Sequence, residues 1–358
     1  MNNSRVYIDF HVIQTVPPSC VNRDDTGSPK TAIYGGVRRA RVSSQSWKRA
    51  IREMFKDYFD ESELGIRTKK IVELVQDKIQ TIDSSVSENE AKKLAEGIIN
   101  AANVTTKDSE AKALFFMSAK QAENLARLAL AGKTKEDKKE VQAALKMGSG
   151  VDVALFGRMV ADDPSLNTDA SAQVAHAIST HRVDNEYDYF TAVDDLAPDD
   201  NAGAGMIGTV EFNSSTLYRY ATVAGHVLFD QLASSAEATA KTVKEFARAF
   251  VTAMPTGKQN TFANRTLPDG VVVSIRTDQP INYIGAFEAP ISVSGNGYSI
   301  ESMNRLVNYA EKTCGDYYGP PNKTWVIGDG VSSLGDVVAL PILLEELEVE
   351  LDAVFSRE

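Results

Sequence analysis

The chain has 358 residues, a formal net charge of -11 and 43% apolar residues, more than one compact core usually serves, so two structural units are expected. No apolar run reaches the roughly eighteen residues of a membrane span, the opening MNNSRVYIDF lacks a secretion layout, and Cys20 and Cys314 form one bridge at most, so the chain reads as cytoplasmic. A pI near 5.0 excludes adhesion to nucleic acid by overall charge, and any polyanion must be held in a local groove.

Val6, Ile8, Phe10 and Val12 alternate with Tyr7, Asp9 and His11, which predicts an amphipathic first strand. The stretch from Pro18 to Phe59 departs from the acidic average. Arg23, Lys30, Arg38, Arg39, Arg41, Lys48, Arg49 and Arg52 face only Asp24 and Asp25 in this interval. After a polar loop, Gly35-Gly36 mark a turn where another chain can come close. Val37, Ala40 and Val42 suggest a short strand, and Ser43 or Ser44 then caps a helix through its hydroxyl oxygen. Trp47, Ala50, Ile51, Met54, Phe55, Tyr58 and Phe59 recur at helical spacing and predict one buried face, leaving Gln45, Lys48, Arg49, Arg52 and Lys56 on the other. A capped helix start with free hydroxyls, an amide and several cations suits a row of phosphates better than a single anion. The competing reading is an ordinary solvated helix face.

From about Asp60 to His181 the pattern is mostly helical, in KKIVELVQDKI, ENEAKKLAEGIINAA, AKALFFMSAKQAENLARLALAG and KEDKKEVQAALKM. Strand patterns return at Glu186 to Ala192 and Thr209 to Val223, around a small, polar hairpin tip from Ala197 to Gly208. A long helix over Ala224 to Ala253 precedes the strand VVVSIRT at 271–277. The C-terminal third adds a helix around Ser302 to Cys314, a TWVIGDG strand and an acidic helix, EELEVELDAVF. Without the helical stretch the order is strand, helix, two strands, helix, strand. The predicted fold is therefore α+β, a ferredoxin-like unit of the RNA-recognition-motif kind with a large helical insertion and an extended β-hairpin.

His11, His176, His181 and His226 are scattered with no metal-ligand spacing, and no phosphate-binding Gly loop or nucleophile elbow occurs. No metal, cofactor or catalytic centre is expected. Asp24 and Asp25 beside the basic strip are the one alternative, as the carboxylates of a metal-dependent endoribonuclease, although such a site needs further converging ligands.

NRDD, AIYGGVRRARVSSQSWKRAIR, GVDVALFGRM at 150–159, AHAISTHRVD at 175–184, DYFTAVDDL at 188–196 and YRYATV at 218–223 together resemble the CasC family, whose members form the CRISPR RNA-binding backbone of the type I-E Cascade complex. The resemblance runs to about Phe287; the last seventy or so residues carry no matching block. It implies a hand: a palm in 1–59, helical fingers in 60–181, palm strands with a thumb hairpin in 182–223, and the rest of the palm with C-terminal additions in 224–358. It also implies that Ser43, Ser44, Gln45, Lys48, Arg49 and Arg52 line the guide RNA backbone, and the Lys258-Gln259 pair, which the family shares, is expected to add a contact. Asn22, Arg23 and Lys30, in the loop before the strip, are expected to touch RNA or the neighbouring subunit, the alternative being ordinary loop chemistry. Arg158 and Met159 are expected to take a phosphate and wedge a base, and Tyr189, Phe190 and Thr191 to fold over the strand. The implied partners are CRISPR RNA, target DNA through the guide, further copies of the chain, and the subunits CasA, CasB, CasD and CasE. Cleavage is not a known property of this family, although related type III backbone subunits use an aspartate in a comparable loop. A regulatory RNA-binding protein acting alone is the third reading, distinguished by sequence preference.

Overall fold

The computed structural model describes residues 5–160, 162–192, 206–293 and 295–357. Strand β1 (Tyr7–Ser19) is followed by the hairpin β2 (Thr31–Tyr34) and β3 (Val37–Val42) and by helix α1 (Ser44–Phe55). Gly35 and Gly36 both take positive φ, as a two-residue hairpin turn requires. A side chain on Gly35 would meet the carbonyl of Glu288 at 1.6 Å, so what approaches this turn is the same chain's own backbone, not a second chain. Ser43 is the cap of α1, its Oγ accepting from the Ser46 N–H at 3.3 Å. Trp47, Ile51 and Phe55 are buried as the spacing predicts. Tyr58 is not: the helix ends at Phe55, and the ring lies on the surface against the Arg248 guanidinium, 4.8 Å away.

The chain then builds a helical unit: β4 (Gly65–Thr68), α2 (Ile71–Ile82), α3 (Glu88–Ala101), the short pair β5 (Thr106–Lys107) and β6 (Glu110–Ala111), β7 (Phe115–Ser118), α4 (Ala119–Leu130), α5 (Lys138–Lys146) and α6 (Val151–Phe156). It has its own core, in which Ile71, Val75, Ile98, Leu125 and Val141 are buried together. Strands β8 (Ala172–Val174) and β9 (Ala177–Ser179) follow. They were expected in the helical region but belong to the main sheet, each with too few residues for its alternation to be read.

Strand β10 (Glu186–Ala192) pairs with the far end of β11 (Met206–Ala224) as an antiparallel ribbon, from Glu186↔Phe212 to Ala192↔Met206. The predicted tip from Ala197 lies largely outside the described residues. The expected single helix over 224–253 is two, α7 (Gly225–Gln231) and α8 (Ala236–Thr252), separated where Ala233 and Ser234 take positive φ. The remainder is α9 (Gln259–Phe262), β12 (Gly270–Arg276), α10 (Ser299–Thr313), β13 (Lys323–Ile327), β14 (Asp336–Val337) and α11 (Leu340–Phe355).

The main sheet runs β14-β13-β12-β1-β11-β9-β3-β2, with β8 and β10 also on β11. Strand β1 is central and antiparallel to both β11 and β12. Its even-numbered residues Ile8, Phe10 and Val12 join Phe246, Phe250 and Leu347 in the core under α1, α8 and α11. The odd face, predicted to be the polar one, is covered by residues 281–291 and 298–310 and is buried too. Several of its polar groups therefore pair internally, while among the described residues His11 Nε2 finds no hydrogen-bond partner. Tyr220 Oη and the Ile281 N–H both donate to Asp9 at 2.9 Å, and His11 Nδ1 shares a hydrogen bond of 2.9 Å with Tyr218 Oη. Burial raises the Asp9 carboxyl to about 6 and lowers His11 to about 3. Among the described residues no helix is long and apolar enough to cross a membrane.

Candidate nucleic-acid interface

Because one face of α1 is fixed against the sheet, its other face is held between two grooves. The first, about 890 Å³, opens between α1 and the helical unit, with Phe115, Phe116 and Phe156 in its wall and Gln45, Lys48, Arg49 and Arg52 along the helix side. The second, about 1000 Å³, lies between α1, the Asn22–Gly27 loop and the Ala253–Gly257 segment. Arg49 borders both. The helix presents Gln45 and Arg49 exposed and Lys48 half-buried. The Lys48 ammonium sits 5.8 Å from the centre of the Phe156 ring, and burial lowers its affinity for a proton. It is a cation already stripped of part of its water, which strengthens its attraction for an anion entering the groove.

Two cations singled out in the sequence are spent elsewhere, and a third is shared. Arg39 is buried and donates to the carbonyls of Tyr34, Ser179 and Phe287, tying the β2–β3 hairpin to the rest of the fold. Arg158, expected to take a phosphate, is 5% exposed and donates to the carbonyls of Phe116, Leu145 and Leu166 at 3.1–3.2 Å, with Phe115 across its face. Although the residue borders the first groove, each of its guanidinium nitrogens is already hydrogen-bonded inside the fold and none is left for a phosphate, so that expectation is corrected. Arg52 is only partly committed: its Nε donates to Asp152 at 3.1 Å and its guanidinium lies 4.3 Å over Phe116, but it still lines the groove.

Met159, next to the buried Arg158, is 83% exposed at the rim of the first groove. Gly157, at φ +76°, ends α6 just before this pair. Ser43 is buried and occupied as the cap, while Ser44 stays half-exposed at the helix start. Asn22 is a support: its Oδ1 accepts the Ser43 N–H at 2.9 Å and so holds the loop against the helix start. Arg23 is exposed in the second groove, and Lys30 is half-exposed where its backbone pairs with Arg41. Lys258, in the left-handed conformation, and Gln259 begin α9 just beyond that groove's Gly257. Tyr189, Phe190 and Thr191 lie exposed on the β10–β11 ribbon and not in the wall of either groove; Phe190 rests against Gly208 of the facing strand.

Asp24 accepts from the backbone and hydroxyl of Thr26 and from the Ser28 N–H, at 2.7–3.0 Å, and these bonds hold its carboxyl below the usual range. Its oxygens shape the loop. Among the described residues no group of three or more His, Cys, Asp or Glu is placed to hold a metal ion. Sequence reasoning missed Asp152, Phe116, Arg67 and Lys112, all of which meet at the first groove or its wall. Asp152 stands in the first turn of α6, where an acid reads as favourable to the helix dipole, and nothing in sequence couples it to an arginine a hundred positions away.

The family model described as CT1975-like protein matches residues 8–349. The chain belongs to this family, in agreement with the CasC-type resemblance of its sequence blocks. Two solved relatives are chains of a "CRISPR RNA-guided surveillance complex, pre-nicking", 32% identical with a TM-score of 0.81 over 96% of this chain and 100% of that one, and of a "CRISPR RNA-guided surveillance complex", 30% identical with a TM-score of 0.64 over 96% and 99%. Among curated protein sequences none matches significantly.

Proposed function

We propose that the chain is a non-catalytic backbone subunit of a type I-E Cascade complex that binds CRISPR RNA, oligomerises along the spacer and presents its bases for pairing with target DNA. Its similarity to chains of CRISPR surveillance complexes supports membership in such an assembly. The order β12-β1-β11-β9 with α1 and α8 on one face supports the ferredoxin-like palm, the separate core of the helical unit supports the fingers, and the exposed β10–β11 ribbon supports the thumb. The single observation that carries the RNA reading is the exposed face of α1, where Lys48, Arg49 and Arg52 line an open groove in an otherwise acidic molecule.

A subunit that accepts any spacer holds phosphate and ribose and leaves base edges free. Affinity for single-stranded RNA then falls with salt at about 0.7 log units per phosphate neutralised. Replacing Lys48 and Arg49 together by alanine reduces the slope of log K against log salt by about 1.4. An unchanged slope in a folded double variant overturns the assignment.

A further inference from the structure

We infer that Asp152 is a positioning residue for RNA binding: it fixes the Arg52 guanidinium so that its Nη edge is offered to a phosphodiester in the groove beside α1. The inference deepens the RNA-binding reading and rests on it. The Asp152 side chain is 3% exposed, and its two oxygens serve two different elements. Oδ1 accepts from the Gly65 N–H at 2.8 Å, at the start of β4, and Oδ2 accepts from Arg52 Nε at 3.1 Å, on α1. Both oxygens are thus held, and Gly150, two residues earlier, lets the start of α6 come this close to β4: an added Cβ there would stand 2.7 Å from the Gly65 nitrogen and 3.0 Å from Asp152 Oδ1. The guanidinium is restrained as well: Phe116 lies beneath its face at 4.3 Å, on β7, which pairs with β4.

Arginine offers five N–H donors in a rigid fork, and Asp152 takes the Nε side. The contact of Nη2 with the Gly65 carbonyl is long, at 3.5 Å, and among the described residues Nη1 has no hydrogen-bond partner, while the side chain remains 24% exposed at the groove. The Nη edge is what a phosphate oxygen pair needs. Burial pushes the Asp152 carboxyl up and Arg52 works against that rise, so the buried carboxylate needs this partner as much as the arginine needs its support. A lysine at 52 keeps the charge but cannot serve carboxylate and phosphate from two edges at once.

The test is a double-mutant cycle on single-stranded RNA affinity, with Asp152→Asn, Arg52→Lys and both, on the folded chain at several salt concentrations. Each single change weakens binding by about tenfold with little change in salt slope, and the double variant is no weaker than the worse single one. Removing a negative charge beside the groove would by itself tighten binding to RNA. Weaker binding in Asp152→Asn is therefore a signature that loss of charge alone does not give. Additive losses, or tighter binding in Asp152→Asn, overturn the inference. If Asp152→Asn does not fold, amide exchange in the wild-type chain decides: RNA slows exchange at Gly65 severalfold, and unchanged exchange there contradicts the proposal. Failure of the RNA reading itself shows separately, as an unchanged salt slope in the Lys48 and Arg49 double variant.

Discussion

At the scale of single residues, the structure divides the cations singled out in the sequence by what each can still donate. Arg49 is open to solvent, Lys48 is half-desolvated, Arg52 is half-committed and Arg39 and Arg158 are fully used. Arg158→Met tests the division. It leaves the carbonyls of Phe116, Leu145 and Leu166 short of a donor in a buried place, so the variant loses about 2–4 kcal/mol in chemical denaturation. The RNA affinity of its folded fraction stays within about threefold of wild type, because the guanidinium has no donor left to offer a phosphate. A large loss of affinity at unchanged stability contradicts this placement. The sequence displayed the basic stretch and the helical period that sets Lys48, Arg49 and Arg52 apart from Trp47 and Ile51. It did not display which arginines are consumed, because the carbonyls around Arg39 and the carboxylate beside Arg52 come from segments some hundred or more positions away.

Elements show the same limit from another side. The long strands and helices were legible because their apolar periods run over many residues, as in β1, α1, β12 and α11. The three-residue strands β8 and β9 were not, and neither was the covering of β1's polar face by a segment near residue 283 that stacks Tyr283 on His11, with ring centres 4.4 Å apart. Turn chemistry was legible as glycine, but not its neighbour. Gly35→Ala forces a methyl group onto the Glu288 carbonyl and destabilises the chain by about 2 kcal/mol or more, whereas Gly36→Ala, with open space around it, loses only about 1 kcal/mol for its positive φ. Equal losses in the two variants contradict the close approach.

For the molecule as a whole, the buried polar layer sets a pH dependence with two opposing parts. His11 stays neutral in the fold down to about pH 3, while in the unfolded chain it takes a proton near 6.5, so its contribution to stability declines as pH falls below 6.5. Asp9 holds its proton up to about pH 6 in the fold against 3.8 unfolded, so its part of the stability rises as pH falls through that window. His11→Gln lowers the melting temperature at pH 7.5, and the gap to wild type narrows steadily between pH 7 and 4. A gap of constant size contradicts the buried neutral imidazole.

At this scale the net charge of -11 also matters, because the molecule as a whole repels polyanions and any polyanion must be held in a locally basic groove. The proposed function requires that the chain gather RNA by its backbone and be indifferent to its bases. Purification of the complex from cells expressing it, followed by sequencing of the bound RNA, tests that most directly. The account predicts molecules that share a constant repeat-derived end and differ freely in the remaining sequence; one recurrent sequence, or unselected cellular RNA without the shared end, contradicts it.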